Sequence, residues 1–124
     1  MRILVPALAA ALAVASAGAA VAKGSCGYER CFGAIAIGKS NVMSRVTGHR
    51  TIPGATDAAK LLCGESCDTV EVFWNACGAV ALSRDGQWSF GWDETLENAM
   101  SRAVAICKAD DGAGCYVREW ACSK

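Results

Sequence analysis

The sequence has no excess of charge of either sign, with 12 lysines and arginines against 12 aspartates and glutamates in 124 residues. Such a balance argues against a partner bound through phosphates, because that partner requires clustered basic side chains. Neither a basic tract nor a long basic amphipathic helix, which would suggest a membrane surface, is present. We therefore expect a protein or glycan partner and no nucleic acid.

Histidine is nearly absent, and the single example, His49, lies in a segment rich in glycine and threonine. That segment would allow the imidazole to approach Ser44 or Asp57, but no Gly-x-Ser-x-Gly elbow accompanies them. A thiol protease would need a free cysteine, and an even number of cysteines in an exported chain leaves none spare. We expect no catalytic residue, with a small hydrolase using His49 as the alternative.

Motifs for cofactors are also missing, since neither a Cys-x-x-Cys-His haem attachment site nor a Cys-x-x-Cys redox pair occurs. Cys26-x4-Cys31 and Cys63-x3-Cys67 have spacings that zinc accepts, but export favours disulfides over a metal site. The acidic clusters at 93–94 and 110–111 lack the alternating carboxylates of a calcium-binding loop. The sequence therefore predicts neither a metal nor another cofactor.

The first 22 residues have the layout of a secretory signal peptide. Arg2 supplies a positive charge, residues 3–21 are almost wholly apolar, and residues 20–22 are the small side chains that a signal peptidase needs. The apolar run is dominated by alanine and is not followed by a stop-transfer sequence, which argues against a membrane anchor. We predict a cleaved signal peptide at 1–22 and one secreted or periplasmic domain at 23–124, with no membrane span after cleavage.

All eight cysteines follow the predicted cleavage site, and an even number in a small exported chain indicates a disulfide framework. Cys63 and Cys67 are positioned to join the end of a helix to the start of the next strand. Cys107 and Cys115 occupy equivalent places later in the chain, so two local bridges are predicted. The pairing of the other four cysteines stays open, and these are Cys26, Cys31, Cys77 and Cys122.

One pattern occurs twice, an apolar run that begins with a cysteine, at 31–37 and again at 77–82. Each copy is followed by an alanine-rich segment that ends in a cysteine, a short loop and a run that closes at a further cysteine. Repetition at a period of about 45 residues indicates paired supersecondary units, because one unit alone does not bury its apolar face. The sequence therefore predicts two related halves.

The repeated pattern also predicts the secondary structure. Apolar residues recur with helical spacing over 95–108, and a weaker equivalent in the first half is expected to start at about Ala55, delayed by Pro53 and Gly54. Strands are predicted at 33–37, 69–75, 78–82 and 116–121. The expected fold is α+β, with two pseudo-symmetric β-α-β repeats that form one mixed, disulfide-stabilised sheet and both helices packed on one side.

Three of the few aromatic residues, Trp88, Phe90 and Trp92, occupy alternate positions in one short segment. An extended chain would place all three on one face, where they would form the flat apolar surface that binds sugars or another protein. Their alternative role is to cover the sheet beside the second helix. We take them as the candidate binding surface, whereas Trp74 and Trp120 are expected in the core.

Several short pieces of the chain, taken in order, resemble one protein family. They comprise an Ala-Ile-Ala strand, an alanine-spaced helix ending in cysteine, an Asn-x-Cys-x-Ala segment and a Trp-x-x-Gly segment before a second such helix. The residues concerned are 34–36, Cys63, Cys67, 75–79, 88–91, Ala99, Ala103, Cys107, Cys115 and Cys122. In these the chain resembles the small secreted bacterial family catalogued as domain of unknown function 4189. The resemblance implies an exported single domain and brings no activity or catalytic residues with it.

The sequence is thus typical of a secreted bacterial protein that works by binding, as an interaction module or as an inhibitor of an extracellular protein. A hydrolase and a structural envelope component are the alternatives. After the aromatic segment, the next candidate surface is the connection at 39–54, because it is the longest polar stretch in the chain.

Overall fold

The computed structural model describes residues 24–124, so the predicted signal peptide and its cleavage site lie outside the described part of the chain. Two successive segments contain the same order of elements, which is strand, strand, helix, strand. The first segment contains β1 (Phe32–Ile37), β2 (Met43–His49), α1 (Ile52–Cys63) and β3 (Thr69–Trp74). The second contains β4 (Ala76–Leu82), β5 (Trp88–Asp93), α2 (Leu96–Ala109) and β6 (Tyr116–Ser123). A 3-10 turn, Lys39–Asn41, joins β1 to β2.

The strands form two separate three-stranded sheets, in the orders β2-β1-β3 and β5-β4-β6. Every strand pairing is antiparallel, so the prediction of one mixed sheet is wrong. The error arises from β2 and β5, which were not predicted as strands. Because each helix connects two strands that flank a central one, β2 and β3 run in the same direction but do not pair, and neither do β5 and β6.

The missed strand β2 also changes the interpretation of the polar connection at 39–54. Its central part, 43–49, is β2 itself, which lies at an edge of its sheet and mixes half-buried and exposed side chains. An edge strand of this kind carries serine, threonine and arginine, so its composition is close to that of a loop.

The two sheets face each other, and each helix covers the outer face of its own sheet. Along β1, Ala34 and Ala36 pack against α1, whereas Ile35 and Ile37 belong to the cluster between the sheets. The same division holds along β4, where Val80 points between the sheets. The predicted placement of both helices on one side is therefore wrong, because an apolar strand can be covered by a helix on one face and by a second sheet on the other.

A threonine caps each helix. The Thr51 hydroxyl accepts a hydrogen bond from the Gly54 N–H at 3.1 Å, and the Thr95 hydroxyl accepts one from the Asn98 N–H at 3.3 Å. Helix α1 begins at Ile52 rather than near Ala55, since a proline in the first turn removes only an N–H that has no partner within the helix.

All eight cysteines are paired in the structure. Cys63–Cys67 and Cys107–Cys115 are the two local bridges that the spacing predicts. The four cysteines left open pair as Cys26–Cys31 and Cys77–Cys122. The last bridge joins facing positions on β4 and β6. Neither helix in residues 24–124 is long and apolar enough to span a membrane.

Candidate functional site: an exposed tryptophan pair beside an arginine-lined cleft

The three aromatic residues of the candidate binding surface lie on β5, an edge strand of the second sheet. The alternate residues Ser89 and Gly91 face α2, and the Ser89 hydroxyl donates to the Ala103 carbonyl at 2.7 Å. Trp88, Phe90 and Trp92 consequently point toward the first sheet. The extended conformation therefore places the three rings on one face.

The structure divides these three side chains between core and surface. Trp88 and Phe90 are partly buried in the cluster between the sheets, and the Phe90 ring centroid lies 6.2 Å from that of Phe73. Trp92, beyond the end of that cluster, is 52% exposed. Of the three predicted residues, Trp92 alone is exposed, with about half of its surface accessible to solvent.

Trp92 stacks on Trp74, the last residue of β3, with ring centroids 6.1 Å apart and an interplanar angle of 27°. Trp74 in turn contacts Phe32 of β1, at 6.1 Å and 50°. These three rings form what we call the aromatic row. The expectation that Trp74 lies in the core is wrong, because it is 46% exposed at the end of an edge strand. It lies on the same face of β3 as Val70 and Val72, which pack into the cluster beneath α1, but it is too close to the end of the strand to be covered there.

Trp120, also expected in the core, is 40% exposed at the opposite edge of the sheets. Its environment differs because Arg45 covers it, with the guanidinium carbon 5.2 Å from the ring centroid. The same guanidinium donates to the Trp120 carbonyl at 2.6 Å and lies 3.3 Å from a carboxylate oxygen of Glu119. Trp120 is therefore engaged within the chain, whereas the outer face of Trp92 has no such cover.

Asn75 connects the aromatic row to the N-terminal loop at 26–31. It is the single residue between β3 and β4, with a left-handed backbone (φ 49°), which asparagine tolerates better than most residues. Its side-chain oxygen accepts from the Cys31 N–H at 2.9 Å, and its side-chain nitrogen donates to the Glu29 carbonyl at 3.1 Å. The loop is thereby held against the end of β3. Sequence reasoning assigned Asn75 no role beyond its place in the family pattern.

The loop forms one wall of a cleft of about 680 Å³, which we call the arginine cleft. The Arg50 guanidinium lies over the Tyr28 ring at 5.8 Å from its centroid. Phe32 belongs both to the cleft and to the aromatic row, so the two features are continuous. The lining residues are Gly27, Tyr28, Glu29, Arg30, Phe32 and Arg50.

Some charged groups around this surface already form ion pairs within the chain, and others do not. Within residues 24–124, ion pairs join Arg45 to Glu119 and Arg102 to Asp93, and none includes Arg30 or Arg50. A hydrogen bond from the Thr95 backbone N–H lowers the pKa of Asp93, beside Trp92, and Arg102 contributes to the same effect. The Asp93 carboxylate is thus ionised and already bound within the chain, while both cleft arginines are available to a ligand.

The described chain does not link the residues of the hydrolase alternative by hydrogen bonds. His49 ends β2 and lies near Gly54, at the start of α1. Ser44 is five positions earlier on the same strand, about 16 Å away at the usual rise per residue, and its hydroxyl donates to the Ala59 carbonyl at 2.6 Å. No hydrogen bond in the described chain joins His49 to Ser44 or Asp57. Nor do residues 24–124 contain a cluster of three or more potential metal ligands.

Comparison with known proteins places these features in a family. The family model described as "Domain of unknown function (DUF4189)" matches residues 32–122. The chain belongs to this family. The match confirms the resemblance found in the sequence, and it includes the whole aromatic row, whereas the loop at 26–31 precedes it.

A solved structure has a similar fold. The NMR structure of Rv1813c from Mycobacterium tuberculosis matches with a TM-score of 0.60 and 28% sequence identity, over 94% of this chain and 99% of that one. No curated protein matches the chain. The comparisons therefore establish the family and a structural relative, and they assign no activity to the aromatic row or the arginine cleft.

Proposed function

We propose that this DUF4189 protein is a non-catalytic binding module whose binding surface is centred on Trp92 and Trp74. The supporting observation is the stacked, exposed pair itself. Two large rings remain about half exposed although a small domain has few aromatic residues to bury. Because each ring is held by its neighbours in the aromatic row, a ligand that docks there immobilises little additional side-chain freedom.

We also propose that the module acts outside the cytoplasm, after removal of residues 1–22 as a signal peptide, as one secreted or periplasmic domain at 23–124. The four disulfides are consistent with an extracytoplasmic location, since such bonds persist in oxidising compartments and are rare elsewhere. The apolar N-terminal segment is the sequence feature that supports export.

The proposal includes an internal repeat, in which the two strand-strand-helix-strand segments are equivalent units. Their shared sheet order supports this, as do the threonine caps at Thr51 and Thr95. A disulfide closes the end of the helix in each segment, at Cys63 and at Cys107. The repeat does not extend to the tryptophan pair. Trp74, at the end of β3, contacts Trp92, near the end of β5, at only one edge of the two facing sheets.

The test of the binding surface is retention of material from bacterial envelope and culture-medium fractions on immobilised mature protein. Trp92→Ala should remove most of what the wild-type protein retains. Leu61→Ala is the matched control, because Leu61 is 85% exposed on α1, which covers the outer face of the first sheet, away from β5. Equal retention by the wild type and Trp92→Ala would refute the assignment of the surface.

A further inference from the structure

The aromatic row is narrow, and this limits what it can bind. It consists of three rings in sequence, Phe32, Trp74 and Trp92, of which Phe32 is buried and the two tryptophans are exposed. Charged side chains lie at both ends, with Arg30 in the cleft and Asp93 after Trp92. A stable protein interface needs a broad apolar centre of many residues on each side. The row instead suits an extended ligand that is one ring wide.

The ring faces favour a sugar as that ligand. An aromatic face carries partial negative charge and attracts the polarised C–H groups on the flat side of a sugar ring, while the apolar contact adds to binding. Trp92 offers an outer face because its inner face is stacked on Trp74. Consecutive sugar units of one chain would therefore contact Trp92 and the exposed part of Trp74.

The cleft at the other end of the row indicates the charge of the ligand. Arg30 and Arg50 line it together with one carboxylate, that of Glu29, so its side chains have a net positive charge. Neither guanidinium forms an ion pair within residues 24–124. A guanidinium presents parallel N–H donors that match the two oxygens of a carboxylate. The Tyr28 ring beneath Arg50 orients that guanidinium and adds a further aromatic wall.

We infer, on the basis of the proposed function, that the ligand is an acidic glycan built of uronic acid units. Its sugar rings stack on the outer face of Trp92 and contact the exposed part of Trp74, and its carboxylates bind Arg30 and Arg50 in the arginine cleft. Asn75 fixes the position of the arginine cleft relative to the two tryptophans, because its side chain hydrogen-bonds the loop at 26–31 to the end of β3.

The test uses defined ligands and isothermal titration calorimetry on the mature, oxidised protein. The probes are hexamers of α-1,4-linked galacturonate and of β-1,4-linked mannuronate. Each is compared with its carboxyl-reduced, neutral counterpart and with a hexaglutamate peptide. We expect at least one uronate hexamer to bind, and its neutral counterpart and the peptide to bind at least tenfold more weakly. Affinity should fall as salt concentration rises, since the cleft is exposed.

Variants separate the two parts of the site. Trp92→Ala and Arg50→Gln should each weaken uronate binding about tenfold or more, and Arg50→Lys should restore part of the loss, because lysine keeps the charge without the paired donors. Leu61→Ala should bind like the wild type. Thermal melting of each variant checks that the fold is intact, which is expected because the altered side chains are exposed.

The outcomes also distinguish this inference from the binding module on which it rests. Failure of both uronate hexamers to bind would overturn the inference, as would equal binding of the neutral hexamers or of the peptide. If Trp92→Ala still abolishes retention of envelope or culture-medium material in that case, the binding surface stands and only its ligand class is wrong. If Trp92→Ala changes neither retention nor glycan binding, both proposals fail.

Discussion

The phenyl ring of Phe73 lies directly against Gly78, so a Cβ atom at position 78 would be 2.7 Å from two of the ring carbons. Phe73 belongs to β3 and Gly78 to β4, so this contact joins one sheet to the other. A second glycine, Gly33 of β1, faces the same ring from its own sheet, where a Cβ would be 2.6 Å away. The largest fully buried side chain thus fits between the sheets because two glycines leave room for it.

Gly78→Ala should therefore destabilise the fold by about 1–3 kcal/mol through overpacking. The measurement is urea unfolding of the oxidised protein, followed by far-UV circular dichroism. The double variant Phe73→Leu/Gly78→Ala tests the cause, because a smaller side chain at 73 makes room for the added methyl group. The two changes should then be less destabilising together than the sum of the single effects. Additive effects would show that the ring and the glycine do not restrict each other.

Helix α2 approaches its sheet through small residues. Ala99 and Ala103 are fully buried, and a Cβ on Gly91 of β5 would collide with the α2 backbone at both positions. Ala103→Leu should destabilise the fold by about 1–3 kcal/mol, since the close helix-to-strand contact leaves no space for a larger side chain. Ala105→Leu, on the exposed side of the same helix, is the matched control. A near-neutral effect of Ala103→Leu in chemical unfolding would mean that the helix packs differently.

The elements that sequence reasoning predicted and those it missed differ in their exposure. Helix α2 and strands β1 and β4 were predictable because their apolar residues follow one clear period or form one continuous run. The edge strand β2 mixes exposed and half-buried residues and contains Gly48, so it has no clear period. Without β2 and β5, each half was interpreted as a β-α-β unit, and one mixed sheet was expected. Strands β1 and β3 do pair, as do β4 and β6, but both pairings are antiparallel. The packing of Ile35 and Ile37 against the opposite sheet depends on tertiary contacts that no local pattern encodes.

The candidate site was predictable only in part for a related reason. Alternation along β5 identified Trp92, but equally identified Trp88 and Phe90, which the opposite sheet covers. Trp74 is 18 positions away in the sequence, and its contact with Trp92 arises from the packing of two separate sheets. The arginine cleft depends on the hydrogen bonds of Asn75 to the loop at 26–31, which the sequence does not reveal.

The four disulfides should differ in their contribution to stability. Cys77–Cys122 closes a loop with a sequence separation of 45, against 4 for Cys63–Cys67. In the chain-entropy model, these separations correspond to about 4 and about 2 kcal/mol. Cys77→Ala/Cys122→Ala should therefore lower the free energy of unfolding more than Cys63→Ala/Cys67→Ala, measured by urea denaturation. The reverse order would mean that the contribution of these bridges is set by local packing rather than by the unfolded chain.

The oxidation state has its own check by mass spectrometry. The native protein should show no alkylated cysteine, and all eight should be alkylated after reduction, because every cysteine is paired. Labelling of two or more cysteines in the unreduced protein would contradict the disulfide framework.

Glu71 should make the stability of the protein pH-dependent. Its side chain lies on β3 between the sheets, and burial raises the pKa of its carboxyl group. A raised pKa in the folded state means that the protonated form is favoured, so its stabilising effect is complete below the unfolded pKa. That effect is lost as the pH rises through the folded pKa. Glu71→Gln, which mimics the neutral acid, should therefore raise the melting temperature at pH 7.

The difference between Glu71→Gln and the wild type should shrink as the pH is lowered and vanish below about pH 4, where the glutamate is protonated in both states. Glu97→Gln is a suitable control, because Glu97 is exposed in the first turn of α2. A melting temperature for Glu71→Gln below that of the wild type at pH 7 would indicate that the carboxylate is stabilised by a partner.

Trp92 and Phe90 should respond to truncation in opposite ways, although both are aromatic and lie two positions apart on β5. Trp92→Ala removes a ring that is half exposed and contacts mainly Trp74, so the melting temperature should change little. Its effect should appear in binding, with a loss of about 2 kcal/mol or more if the ring is an anchor. Phe90→Ala removes a ring packed against Phe73 between the sheets and should destabilise the fold by about 3 kcal/mol.

Thermal melts of both variants, together with titrations of the oligosaccharide probe, measure the two effects separately. If Trp92→Ala unfolds the protein as readily as Phe90→Ala does, Trp92 belongs to the core and the binding surface must lie elsewhere.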